Sequence, residues 1–167
     1  MRRRFPVLLV LLTVLLVGCQ TSASSEASGG PQVESAARVE ITITGGEQAG
    51  EYEAELVDTG CRLDAFGGDA FEVASNAIEG TDGFEGIDIT VFDAAAARSG
   101  GTEDFAMVLG FADGAQPEMA PAEGVGTGSL VLEEDEEAET ARVTVEGTMD
   151  DGSDASVRVE CIVVRTF

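Results

Sequence analysis

The residues best suited to chemistry in this chain are its three cysteines, Cys19, Cys61 and Cys161. A thiolate is a nucleophile and a metal ligand, and two thiols can instead join as a disulfide. Other reactive side chains are scarce, because the 167 residues include no histidine, lysine or tryptophan. The surroundings of each thiol therefore decide which chemistry to expect of it.

The first cysteine closes a segment with three parts. Residues 2–4 are all arginine, residues 5–17 are almost wholly apolar, and Gly18 directly precedes Cys19. The apolar stretch of about 13 residues is shorter than the roughly 20 needed to span a bilayer as a helix. It is typical of a secretory signal peptide.

The end of that segment, Leu16-Val17-Gly18-Cys19, resembles the bacterial lipobox. The resemblance implies that residues 1–18 are removed and that the Cys19 thiol accepts a diacylglyceryl group. Two or three fatty acyl chains, such as palmitate, anchor a protein stably at about 0.8 kcal/mol per buried methylene. We expect a lipoprotein on the cell membrane or outer membrane, facing outside the cytoplasm.

Composition divides the remaining chain into two regions. Residues 19–37 are rich in Ser, Ala, Gly, Gln and Glu, which is typical of a flexible tether, and residues 38–167 form the predicted domain. Removal of residues 1–18 leaves six arginines against 32 acidic residues, a net charge of −26. A field of that sign repels nucleic acid and anionic headgroups, so we expect neither as a partner.

The domain shows apolar residues at every second position. Residues 39–43, 51–56, 87–91, 142–146 and 157–163 alternate in this way, and weaker candidates are residues 71–73, 105–111 and 130–132. Such alternation marks strands with one buried and one solvated face. We expect an all-β fold, an antiparallel sandwich or barrel-like domain of about eight short strands. One short helix is predicted over residues 93–98, where an aspartate precedes an alanine run.

The two later cysteines are predicted to form a disulfide. The compartment is outside the cytoplasm, and Cys161 lies in phase with Val157, Val159 and Val163, on the face predicted to be buried. The alternatives are two free thiols or a metal site, although the chain lacks the histidine or further cysteines that zinc prefers.

Three segments could bind ions. The acidic run Glu133, Glu134, Asp135, Glu136 and Glu137 could gather Ca²⁺ through carboxylate oxygens, or it could be a solvated hairpin tip. Residues 150–154 resemble part of a calcium loop but lack its downstream glutamate, so we interpret them as a turn. Residues 124–128 imitate a phosphate-binding glycine loop, but a predicted strand follows where such a loop needs a helix.

The residue types argue against catalysis. Without histidine there is no ordinary base for a serine or cysteine nucleophile, and without lysine no Schiff base forms. Pairs of carboxylates could cleave glycosides, but one tyrosine and no tryptophan provide few platforms for sugars. We therefore expect no enzyme activity and no cofactor.

The mature chain resembles the LpqH-type lipoprotein antigens of mycobacteria and related bacteria. The likeness lies in the lipobox, the Ser/Gly-rich tether, a first strand running into Gly45-Gly46, and cysteines after the second strand and in the last one. It implies a surface-exposed, non-enzymatic lipoprotein. The strong acidity departs from that family and puts a shared partner in doubt.

These observations predict a lipid-anchored, non-catalytic envelope protein that serves as an interaction or structural domain. Its partner would be an envelope protein or a small molecule. The alternative is a ligand-binding module for a cation such as Ca²⁺ or for a small apolar molecule between the sheets.

Overall fold

The computed structural model describes residues 37–56, 61–63, 68–75, 78–80 and 82–165. These residues form eleven strands and one α-helix. The elements are β1 (Ala37–Thr44), β2 (Gly50–Leu56), β3 (Cys61–Leu63), β4 (Phe71–Ser75), β5 (Ile78–Gly80), β6 (Phe84–Val91), α1 (Ala94–Arg98), β7 (Phe105–Phe111), β8 (Glu118–Met119), β9 (Thr127–Asp135), β10 (Thr140–Thr148) and β11 (Asp154–Arg165).

The strands form two sheets that share β11. In the first sheet the order is β5-β2-β1-β11-β10-β9, and every neighbouring pair is antiparallel. In the second sheet the order is β11-β3-β4-β6-β7-β8. Strand β11 pairs with β1 as far as Cys161 and with β10 as far as Ile162, and Val163–Arg165 then pair with β3.

The sheets are not closed into a barrel, and they bury one common core. The first sheet contributes residues such as Val39, Ile41 and Val157, and the second contributes Phe71 and Ile89, all at most 2% exposed. Strict period-two alternation explains this arrangement, because it puts every second side chain on the same face of a strand. The prediction of an all-β domain, a sandwich or barrel-like fold, is confirmed for the all-β class, and the open sheets exclude the barrel.

The predicted helix is also confirmed. Asp93 precedes α1 and its side chain accepts a hydrogen bond from the Ala96 amide at 2.9 Å, which satisfies one of the free N–H groups at the helix start. Ala94 and Ala97 are fully buried. The helix therefore contributes two small side chains to the core.

Three strands were not predicted: β3, β5 and β8. Each has only two or three residues, too few for alternation to be recognised. The pairing of β11 with β3 is also parallel, whereas the sequence predicted an antiparallel fold. That pairing depends on where β11 extends beyond the first sheet, which no local pattern encodes.

Candidate functional site

The predicted lipidation residue, Cys19, lies outside the described residues, as does the whole segment before Ala37. Within the described part of the chain, no helix is long and apolar enough to cross a membrane. The predictions of a signal peptide, a lipid anchor and a tether therefore stay predictions.

The predicted disulfide is present. Cys61 and Cys161 are bonded through their Sγ atoms, their Cα atoms are 5.8 Å apart, and both residues are buried. Cys161 pairs with Ala37 in the first sheet, and Val163, two residues later, pairs with Cys61 in the second. The bond thus lies where β11 passes from one sheet to the other.

The acidic run at residues 133–137 does not converge on one point. Glu133 accepts a hydrogen bond from Arg142 at 3.1 Å, and Glu134 accepts one from Arg98 at 2.8 Å. Asp135 ends β9, and its Oδ1 accepts hydrogen bonds from the backbone of Glu137 and Ala138, both at 3.0 Å.

The run is therefore the end of β9 and the turn into β10, with Glu136 exposed at the turn. Among the described residues, no three acidic or cysteine side chains are grouped so as to hold a metal ion.

The other two segments form turns. Asp151 accepts hydrogen bonds from the backbone and hydroxyl of Ser153 at 2.9 and 2.6 Å, and the Asp150 carboxylate accepts one from the Glu118 amide at 2.9 Å. These contacts shape the turn between β10 and β11 and connect it to β8. The glycine-rich segment at residues 124–128 leads directly into β9, as predicted, so no helix N-terminus is present there to bind phosphate.

The solvent face of the first sheet carries a row of alternating charges. Glu55, Arg38, Glu160, Arg142 and Glu133 are neighbours in register on five adjacent strands, β2, β1, β11, β10 and β9. Arg142 lies between two carboxylates, 3.1 Å from Glu133 and 2.9 Å from Glu160. Opposite charges on directly facing positions stabilise a sheet, whereas like charges would destabilise it.

These pairs shift the pKa values of Glu160 and Arg142. Hydrogen bonds from Arg158 and then from Arg142 hold the pKa of Glu160 below its usual range. The hydrogen bonds of Arg142 to Glu160 and then to Glu133 raise the pKa of its guanidinium. Glu160 and Arg142 therefore keep their charges at neutral pH.

A hollow of about 500 Å³ lies beside this row. Arg38 and Arg142 line it together with Glu55, Glu133 and Glu160. Both arginines already pair with carboxylates, so the hollow presents no unpaired cation to an anionic ligand.

Neither protein-family profiles, nor curated proteins, nor solved structures match the chain. The lipobox and LpqH-type resemblances therefore rest on the sequence alone.

The sequence did not predict which carboxylates the arginines pair with. Each arginine whose side chain is described has at least one carboxylate partner: Arg38, Arg62, Arg98, Arg142 and Arg158. Alternation could place Arg142 on the outer face of its strand, but only the register shows that Glu133 and Glu160 flank it. For Arg98 no sequence signal was available, because its partners come from two distant segments.

This distribution leads to a prediction about salt. From Val33 onward six arginines cannot offset 31 carboxylates, so screening should relieve more repulsion than it removes attraction. For a soluble form beginning at Val33, we expect the melting temperature to rise by about 5 °C between about 0.05 and 1 M NaCl, roughly 1–1.5 kcal/mol for a domain of this size. Calorimetry in NaCl and in KCl provides the test, since screening should act equally in both. A flat or falling melting temperature would contradict the prediction.

Proposed function

We propose that this chain is an exported bacterial lipoprotein, anchored by acyl chains on Cys19, whose β domain is a non-catalytic interaction or structural module outside the cytoplasm. The observation that carries the proposal is Leu16-Val17-Gly18-Cys19 at the end of a charged and then apolar leader. A thiol at that position is the nucleophile that lipidation requires.

The disulfide supports a location outside the cytoplasm. Such bonds persist in oxidising environments and are rare in the cytoplasm of most organisms. The Cys61–Cys161 bond is buried and joins strands from both sheets, as expected of a bond that contributes to folding rather than to redox exchange.

The charges support a module that does not bind anions. The mature chain has a net charge of −26, and the arginines whose side chains are described are occupied by carboxylates. A partner protein or ligand is therefore expected to be neutral or cationic where it meets the domain.

The residue inventory is the reason for proposing a non-catalytic role. The chain has no histidine or lysine to act as a base. The carboxylates of the two candidate calcium segments are occupied in part by arginines and backbone amides, as described above.

Replacing Cys19 with serine tests the anchor. We expect the Cys19→Ser protein to leave the membrane fraction completely and to lack the mass of the acyl chains, because a serine hydroxyl does not replace the thiolate nucleophile. Detergent-phase partitioning and mass spectrometry of the N-terminal peptide measure both effects.

Gly18→Ala is the matched control, since alanine also satisfies the lipobox at that position, and it should be lipidated normally. A membrane-associated wild-type protein with an unmodified Cys19 would overturn the proposal.

A further inference from the structure

The segment between β6 and β7, two adjacent strands of the second sheet, extends to β9 of the first sheet. We call residues 93–101 the strap. Its Ala94 amide donates a hydrogen bond to the Asp69 carbonyl at 2.9 Å, next to β4 of the second sheet. Its helix, α1, packs against β9 of the first sheet.

The strap has little apolar anchoring of its own. Only Ala94 and Ala97 of α1 are buried, and each contributes a single methyl group to the core. A helix of five residues is far too short to be stable without tertiary contacts. The position of α1 against β9 therefore depends on polar contacts.

Two consecutive glycines with positive φ values end the strap. Gly100 and Gly101 have φ values of +132° and +114°, a region that other residues rarely adopt. Immediately after them, Thr102 exchanges two backbone hydrogen bonds with Leu130 of β9, both at 2.9 Å. Gly100 and Gly101 therefore lie between α1 and Thr102, which is hydrogen-bonded to β9.

Arg98 ties the strap to both sheets. Its Nη1 donates to the Asp69 carboxylate at 2.9 Å, and its Nε donates to the Glu134 carboxylate at 2.8 Å. The side chain of Glu134 is only 13% exposed and that of Arg98 35%, so this pair is partly shielded from water, whereas the Asp69 side chain is 51% exposed. Charged hydrogen bonds of this kind are stronger than neutral ones.

We propose that the strap opens and closes as a unit while both sheets stay folded, and that Arg98 is the latch that holds it closed. Opening swings α1 away about Gly100 and Gly101 and uncovers the part of the core that Ala94 and Ala97 cover. The proposal does not depend on how the chain is anchored.

The latch has a salt dependence opposite to that of the whole domain. Screening weakens attraction between Arg98 and its two carboxylates, so added NaCl should favour strap opening. The same salt should stabilise the sheets, because the dominant interaction there is repulsion between carboxylates. Local opening and global unfolding are thus expected to respond to salt with different signs.

Hydrogen exchange of the full-length chain in detergent micelles, followed by mass spectrometry, tests the proposal. In Arg98→Met we expect amides of residues 94–99 to exchange roughly tenfold faster, as expected for the loss of two charged contacts, one of them partly shielded from water. Peptides from β10 and β11 should be unchanged. Arg142→Met is the matched control, since Arg142 also bridges two carboxylates but lies outside the strap, and it should leave residues 94–99 unchanged.

Equal acceleration over all peptides in Arg98→Met, or no acceleration in the strap, would overturn the proposal. If Arg98→Met does not fold, Glu134→Gln and the wild-type chain at 0.1 and 1 M NaCl, roughly 10 and 3 Å of screening length, decide the question. Faster exchange confined to residues 94–99 supports the latch, and unchanged exchange there refutes it.

Discussion

Replacing Cys61 and Cys161 together with alanine is expected to lower the free energy of unfolding by about 4–5 kcal/mol. The bond closes a loop with a sequence separation of 100 residues, and its loss returns that conformational freedom to the unfolded chain. Domains of this kind are usually stable by only about 5–15 kcal/mol. The substitution should therefore leave a domain close to its unfolding threshold at 37 °C.

Urea unfolding of the soluble form beginning at Val33 measures this effect. The wild-type protein unfolded in the presence of dithiothreitol should match the double alanine variant, because both lack the same constraint. A double variant as stable as the oxidised protein would show that the contacts around β11 and β3 suffice to hold the crossing between the sheets.

Gly147→Ala is expected to destabilise the domain by about 3 kcal/mol, at the upper end of the usual cost of overpacking. Gly147 of β10 pairs with Gly128 of β9, and Met119 lies over both. A Cβ at residue 147 would collide with the Thr127 carbonyl oxygen and would lie 2.5 Å from the Gly128 Cα. These are backbone atoms of the neighbouring strand, so the conflict can be relieved only by moving that strand.

Gly68→Ala is the control, because a Cβ there meets nothing within 4 Å and the backbone has an ordinary φ. It should unfold at nearly the same urea concentration as the wild type. If Gly147→Ala also unfolds like the wild type, the close approach of β9 and β10 at this pair does not constrain the domain.

The glycines at residues 128 and 147 also show the limit of sequence reasoning. Glycine inside a strand pattern suggests a bulge or a close approach of backbone, but either residue alone does not tell which strand approaches. Their direct pairing, with Met119 above them, follows only from the register of β9 and β10.

Much of the fold could be predicted because its signals are local. Apolar side chains at every second position of β1 and β11 must point to one face, and burial of that face requires another layer. The Asp93 cap and the alanine run predict α1 for the same reason, since a cap and a helix turn involve only neighbouring residues. Strands β3, β5 and β8 were not predicted because an alternation of buried and exposed residues cannot be recognised in two or three residues.

What the sequence by itself determined is therefore what can be seen within one segment: the apolar run before Cys19, the alternation that predicts a sandwich, the acidity, and the absence of histidine and lysine. Only the tertiary structure decided which distant residues meet. It placed Cys61 beside the end of β11, split the acidic run between Arg142 and Arg98, and brought the strap against β9. The physical reason is that side-chain type and spacing set what one segment can bury, whereas strand register and crossover set its neighbours, and those depend on the packing of the whole chain.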